Sequence, residues 1–362
     1  MKDDSSYSLA EQRIVDLIED LIYSGKLRPG EKTPSEHELT DLFNTSRSQV
    51  RHALSLLERN DLIVRRQGSG SYVQEINRQP KDRRNKSAMT VAIAVNQIRG
   101  QYSEKVTSAL METLDENGVR PVTFNLHFND ENEYRFIHDV HYGGYAGLAI
   151  WPEHSGPLIK KMLNSICTEE IPTVLYDHFF EDIPIDSVCT DNEDIGFRLA
   201  DALLQKGCTR LAFVGVEYSE NYSSTQARIE GMASATNNTG RSQGNPQIIN
   251  LSGSKHDIFD INPLLKAMAA PQRPDGLLFT YSGIAEAVLP HLKELGWRIG
   301  TDLQIAFVDD NSYREKAGCP VITVEQPAAK VGQEAAKLLL QRIKNPNKPI
   351  TRKFIKSAHV LG

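Results

Sequence analysis

The sequence lacks the features that would mark a membrane-bound, disulfide-stapled or metal-dependent protein. Along its 362 residues there is no apolar run of the roughly 18 residues that a spanning helix needs, so no membrane partner is expected. The four cysteines, Cys167, Cys189, Cys208 and Cys319, lie far apart with no C-x-x-C pair, which excludes a disulfide framework and a cysteine zinc site. Ten histidines are scattered without an H-E-x-x-H or H-x-H pair. There is no Gly-x-Ser-x-Gly elbow and no P-loop, so catalysis, a metal and a cofactor are all unexpected. The pair Gly68-x-Gly70 does not open a helix and lacks the third glycine of a nucleotide fingerprint. Met1-Lys2-Asp3-Asp4-Ser5-Ser6 carries no apolar core after its charges, so no secretory signal is expected and the expected compartment is the cytoplasm.

Charge is present, and its placement is uneven. The chain is net −6, but residues 1–43 carry −5, residues 44–86 carry +6, and the remainder carries −7. A basic stretch alone more often marks a solvated face or a linker, so local pattern has to decide. Ser8-Leu9-Ala10-Glu11 fits a capping box, and Ile14, Leu17, Ile18, Leu21 and Ile22 follow as one apolar stripe. Gly25, Pro29 and Gly30 end that helix. A second box, Ser35-Glu36-His37-Glu38, opens a short helix with Leu39, Leu42 and Phe43 as its buried side. A third, Ser46-Arg47-Ser48-Gln49, opens a helix whose inner stripe is Val50, Ala53, Leu54 and Leu57. Leu62–Arg66, Gln67–Gly70 and Ser71–Val73 read as strand, tight turn and strand.

Helix, helix, short turn, helix, hairpin is the order of a winged helix-turn-helix, with the third helix suited to a DNA groove. With its stripe turned inward, Ser48, Arg51, His52 and Ser55 face out, and Arg47 and Gln49 sit at its first turn. Arginine and glutamine can each make two hydrogen bonds to a base edge. Arg65 and Arg66 flank the hairpin, placed for phosphates, and its glycines allow close backbone approach. The surface alternative for Arg47 and Arg51 is an ion pair with Glu58 or Asp41.

The segments Leu27-Arg28-Pro29-Gly30-Glu31, Pro34-Ser35-Glu36-x-Glu38-Leu39, Ser46-Arg47-x-x-Val50-Arg51-x-Ala53-Leu54, Leu57-Glu58 and Gln67-Gly68-x-Gly70 resemble the GntR family of bacterial transcription regulators. That resemblance implies contacts to operator DNA from Ser35, Arg47, Ser48, Gln49, Arg51, Gln67 and Gly68. It departs from the family at His37, where Arg is usual, and at Ser69, where Lys or Arg is common.

Residues 1–76 are therefore expected to form the DNA-binding domain and residues 77–88, which begin with the charged run Asn77–Ser87, a linker. From 89 to 362 the pattern changes to strands alternating with helices, beginning at Met89–Val95 and running through Gly147–Trp151, Pro172–Tyr176, Arg210–Gly215, Gly276–Phe279 and Leu303–Val308. Such alternation implies an α/β body of parallel sheets covered on both faces, and the length suits two lobes with a cleft. Ligands in such sheets bind beyond the carboxyl ends of strands. Asn96, Trp151, Asp177, Tyr281 and Asp309 each end an apolar strand and are the candidates. The plainer readings are a helix cap for an aspartate and interior packing for Trp151.

Val174-Leu175-Tyr176-Asp177, Val188-Cys189-Thr190-Asp191-Asn192 with Gly196, Arg228-x-x-Gly231, Leu303 to Asp310, and Ile322-x-Val324-x-Gln326-Pro327 resemble the effector domain of LacI/GalR-type regulators, which is similar to periplasmic sugar-binding proteins. The resemblance implies a type I periplasmic-binding-protein-like fold with Asp177, Arg228, Asp309 and Gln326 lining an effector cleft. Tyr281 stands where the family usually has Asn, and Ser282 where it has Asp. The expectation is a ligand-responsive repressor, a homodimer with operator DNA and a small effector, a sugar, as partners. The alternative from a different class is a carbohydrate-binding protein or sugar-converting enzyme whose N-terminal module serves assembly only.

Overall fold

The computed structural model describes residues 9–23, 27–59, 62–66, 68–74, 89–95, 101–125, 136, 140, 144–152, 157–168, 171–254, 258–309, 311–358 and 360–362. The chain divides into two compact units, Met1–Ser87 and Ala88–Gly362.

In the first unit three helices, Leu9–Tyr23, Glu36–Phe43 and Arg47–Arg59, precede strands β1 (Ile63–Arg66) and β2 (Gly70–Val73). Ile14, Ile18, Leu39, Val50, Ala53, Leu54 and Leu57 meet Ile63 and Val73 in one core, so the apolar stripes do pack inward. Leu42 does not: it is 66% exposed, because the eight-residue second helix turns only Leu39 fully inward. The second capping box is complete. Ser35 Oγ accepts from the Glu38 N–H at 3.2 Å, and Glu38 Oε2 accepts from the Ser35 N–H at 2.7 Å. β1 and β2 pair antiparallel with Arg66 opposite Gly70. Their turn closes through the Ser69 N–H to Arg66 O, with Gly68 in the left-handed region at φ 75° that glycine adopts without strain.

The second unit holds two sheets. Six strands in the order β14-β7-β6-β5-β3-β4 form one lobe, where β3 is Met89–Val95, β4 Val119–Asn125, β5 Gly147–Ile150, β6 Thr173–Tyr176, β7 Asp186–Thr190 and β14 Arg352–Ile355. Seven in the order β10-β9-β8-β11-β12-β13-β15 form the other, where β8 is Leu211–Val216, β9 Gln247–Ser254, β10 Ile258–Asp260, β11 Gly276–Phe279, β12 Gln304–Val308, β13 Ile322–Val324 and β15 Val360–Leu361. All neighbours in the first sheet are parallel, whereas β10 and β15 add antiparallel edges to the second. The central strands are buried on both faces, which is why they read as unbroken apolar runs. The chain passes between the sheets three times, after β7, after β13 and after β14.

Close helix crossings fix the layers. The helices Asn192–Gln205 and Ser223–Thr239 touch at two glycines. A Cβ on Gly196 would lie 2.1 Å from Arg228 O, and one on Gly231 would lie 2.0 Å from Glu193 O. Only glycine lets the backbones approach so closely. At the far end of the first lobe the fully buried Asp186 carboxylate accepts from Arg342 Nε and Nη2, both at 2.9 Å, and from the Thr351 N–H at 2.7 Å. Those bonds tie the helix Ala328–Lys344 and the approach to β14 onto β7. Between β4 and β5 the described Phe136 and Val140 are buried.

Candidate functional site

The two lobes place matching aspartates at matching strand ends. Asp177 follows β6 and Asp309 follows β12, and both have φ 71°. Each still donates its N–H to the neighbouring strand, Asp177 to Val188 O at 3.1 Å and Asp309 to Val324 O at 3.0 Å. A left-handed aspartate is uncommon, and such strain persists where the surroundings and the function demand it.

Arg228 lies between them. It is 4% exposed, seated by the glycine crossing on the helix Ser223–Thr239. Its Nε donates to Asn192 Oδ1 at 2.8 Å and its Nη1 to the Thr280 carbonyl at 2.7 Å. Burial pulls its pKa down against the opposing fields of Asp309 and Asp177, but a guanidinium stays charged. Burial pushes the Asp309 carboxyl up to about 6, although Arg228 and Gln326 pull it the other way. Gln326 Nε2 donates to both Asp309 oxygens, at 3.0 and 2.8 Å.

Around this charged group sit further polar atoms. Gln326 Oε1 is buried with no hydrogen-bond partner among the described residues, and the buried Tyr102 hydroxyl lies against Thr190 and Asp177. Burial, with the Asp177 carboxylate close by, holds the Tyr102 pKa well above its ordinary value. Trp151 meets Tyr102 edge-on at 5.7 Å, Tyr176 at 5.9 Å and His178 at 6.4 Å, forming an aromatic wall. Two carboxylates, one guanidinium, several hydroxyls and a ring wall suit a ligand rich in hydroxyl groups.

The structure thus brings Asp177, Arg228, Asp309 and Gln326 together and sets Trp151 beside them. Tyr281 packs within its own lobe. It stands at the end of β11, but its ring lies over Gly283 and against the core of its own lobe, and it is the Thr280 carbonyl that meets Arg228. Asn96 lies outside the described residues. Sequence reasoning missed Tyr102, His178, Asn192 and Thr280. Asn192 was within reach, since it closes the quoted Cys189-Thr190-Asp191 motif.

In the first unit, Arg47 and Ser48 are exposed at the start of the third helix, and Arg66 is exposed on the hairpin with its guanidinium 4.7 Å from the Tyr72 ring centre. Gly68 is exposed at the hairpin tip. Gln67 lies outside the described residues. Ser35 is committed to its cap, and the Gln49 Oε1 accepts from Thr45 Oγ1 at 2.6 Å and Ser46 Oγ at 3.1 Å, so its oxygen serves the turn rather than a base. Arg51 does form an ion pair, with Glu36 rather than Glu58 or Asp41: its Nε donates to Oε2 at 2.9 Å. The other Glu36 oxygen takes Arg65 Nη2 at 2.8 Å. Arg51 and Glu36 are both partly open to solvent, where such a pair is worth little and a phosphate or base can displace it.

Two families match the two units. Residues 10–73 match the bacterial regulatory proteins of the gntR family, and residues 200–361 match the periplasmic binding protein-like domain. The chain joins a GntR-type DNA-binding module to a periplasmic binding protein-like module. An arabinose metabolism transcriptional repressor of Geobacillus stearothermophilus is 24% identical over 329 residues, covering 89% of this chain and 88% of that protein. The HTH-type transcriptional regulator KdgR of Bacillus subtilis (strain 168) is 25% identical over 264 residues, covering 71% and 75%. The solved transcriptional regulator CelR-cellobiose complex superposes with a TM-score of 0.66 at 18% identity, over 87% of this chain and 89% of that one. A LacI family regulator from Enterococcus faecium with bound ribose gives 0.63 at 20% identity, over 75% and 97%. The gntR match spans the three helices and the hairpin of the first unit, and the binding-protein-like match spans the second lobe with Arg228, Asp309 and Gln326. These are the parts of a transcription regulator. Among the described residues no helix is long and apolar enough to cross a membrane.

Proposed function

We propose that this chain is a cytoplasmic, sugar-responsive transcriptional repressor that acts as a homodimer on operator DNA. One observation supports the effector reading above the others: Asp177 from one lobe and Arg228 and Asp309 from the other converge beside the buried Tyr102 and Thr190 hydroxyls and the unbonded Gln326 Oε1. A sugar offers hydroxyls that both donate and accept, which is what carboxylates, a guanidinium and buried hydroxyls require. Named relatives that repress arabinose metabolism and fold neighbours with cellobiose or ribose support the same class.

In the mechanism that follows, the sugar bridges Asp177 and the Arg228–Asp309 pair and so favours one closure of the lobes. Each subunit of a dimer presents one recognition helix, and two of them on a two-fold axis read a palindromic site. Lobe closure changes their separation. The sugar can shift operator affinity only as far as its own affinity differs between the two closures, and DNA must change sugar affinity by the same factor.

The test is a thermal-shift panel of L-arabinose, D-ribose, cellobiose and related sugars on the full chain, followed by operator release with any sugar that binds. A ligand at a hundred times its dissociation constant adds about 2.7 kcal/mol, a readily measured shift. Stabilisation by one sugar, with altered operator affinity in its presence, is the expected result. If no sugar stabilises the protein and none alters operator binding, the effector reading falls.

A further inference from the structure

Asp177 does not stand alone at its strand end. The next two residues reach across to the other lobe. His178 Nε2 lies 3.1 Å from Asp177 Oδ2, and its Nδ1 lies 3.1 Å from Ser224 Oγ. The Phe179 N–H donates to Ser223 Oγ at 3.1 Å. The His178 ring meets the Tyr222 ring at 4.5 Å between centres. Tyr222, Ser223 and Ser224 form the first turn of the helix that carries Arg228, one turn further along. All three contacts therefore join the loop after β6, in one lobe, to a single helix start in the other. His178, Asp177, Ser224 and Arg228 are all buried.

The protonation state follows from the partners. Burial lowers the His178 pKa; Asp177 opposes that shift and Arg228 adds to it. The ring is therefore neutral near pH 7. The Asp177 carboxylate oxygen accepts, so Nε2 carries the proton and Nδ1 accepts from the Ser224 hydroxyl. One imidazole thus fixes the Asp177 carboxylate and binds the opposite lobe at the same time.

We infer that His178, with Ser223 and Ser224, forms an interlobe latch that couples the orientation of Asp177 to closure of the two lobes. His178 is then a positioning residue for the sugar site, acting through Asp177. The inference rests on the effector reading only for its purpose; the latch itself is made of contacts between protein groups alone. Its consequence is that part of the ordering needed for closure is made in advance, so a sugar meets a pre-aimed carboxylate and binds more tightly than it would to freely opening lobes.

The experiment is amide hydrogen exchange on the full-length protein with no sugar and no DNA, comparing wild type with Ser223→Ala, Ser224→Ala and His178→Leu, and with His178→Gln as the conservative variant. A single hydrogen bond of about 1 kcal/mol corresponds to a five- to tenfold change in opening. The latch predicts slow exchange in residues 177–182 of the wild type. Ser223→Ala speeds the Phe179 amide about fivefold or more. Ser224→Ala and His178→Leu speed exchange in 177–182 and, in the opposite lobe, in 221–228, with partial rescue by His178→Gln. The imidazole nitrogen spectrum adds a signature that packing alone would not give: His178 is neutral near pH 7 with its proton on Nε2, and Ser224→Ala perturbs that spectrum. Fast exchange in wild-type 177–182, or changes confined to the mutated lobe, overturns the latch. Because no ligand enters this measurement, a blank sugar panel with an intact exchange pattern would sink the effector reading and leave the latch, and the reverse result would do the opposite.

Discussion

Replacing Asp309 by asparagine is expected to make the large unit more stable while removing its response to sugar. Asparagine keeps the shape and, like aspartate, tolerates the left-handed backbone at φ 71°. It also keeps a partner for Gln326, whose unbonded Oε1 can turn to accept from the new amide. What it removes is a charge that the fold disfavours. The Asp309 carboxyl is pushed from 3.8 to about 6, chiefly by burial. The folded protein therefore binds more protons than the unfolded chain between those values, so stability falls as pH rises through that window, and the full penalty is present above it. The difference corresponds to about 3 kcal/mol at neutral pH, and asparagine escapes it. Urea unfolding of the full chain followed by tryptophan emission measures this cleanly, because the two tryptophans, Trp151 and Trp297, both lie in the large unit. At pH 7 the variant should be the more stable by up to about 3 kcal/mol, and the two proteins should converge below pH 4. Burial of His178 lowers its pKa and so costs stability on the acid side of 6.5, but that contribution is common to both proteins and cancels in the comparison. Equal or lower stability of the variant at pH 7, or a difference that does not change with pH, would refute the reasoning. A carboxylate kept at such a cost is the pattern of a residue retained for binding rather than folding.

Two further outcomes follow from the geometry. Arg51→Ala should cost about 1–3 kcal/mol of preference for operator over unrelated DNA in a competition gel shift, with sugar stabilisation unchanged, and unaltered preference would reject the recognition-helix assignment. Gly231→Ala places a Cβ 2.0 Å from Glu193 O, backbone against backbone, so the helix pair must part and the tryptophan-monitored midpoint should drop by more than the typical 1–3 kcal/mol of an overpacked core; an unmoved midpoint would mean that the crossing is looser than it looks.

Much of this molecule is legible in its sequence because its signals are local. The Ser35–Glu38 box is a four-residue pattern, and its two reciprocal bonds form as the spacing implies. The central strands are legible because a strand covered on both faces must be apolar at every position, as Thr173–Tyr176 and Gly276–Phe279 are. The edges are harder. β14 alternates exposed and half-buried positions, and β15 is two residues long, so neither presents a run from which a strand can be read. Asp177 and Asp309 are legible for the same reason as the strands they end: a polar residue closing an apolar run lies at the mouth of the sheet.

Position along the chain fixes where the backbone goes and leaves the side chain's direction open. Tyr281 sits at the expected strand end, yet Gly283 two residues on offers no Cβ, and the ring settles over it. The contacts of His178 and Asn192 join elements far apart in sequence, His178 to Ser224 and Asn192 to Arg228, and no local period encodes them. The basic face of the first unit teaches the same lesson in charge. A net +6 over residues 44–86 suggests cations free to meet DNA, but Arg51 and Arg65 share the single carboxylate of Glu36, which lies in the acidic stretch before them. Glu36 therefore holds two arginines beside the third helix. Arg51 is the more exposed end of that clamp and pairs weakly, whereas Arg65, half-buried and bonded also to Ser55 Oγ, is its fixed end.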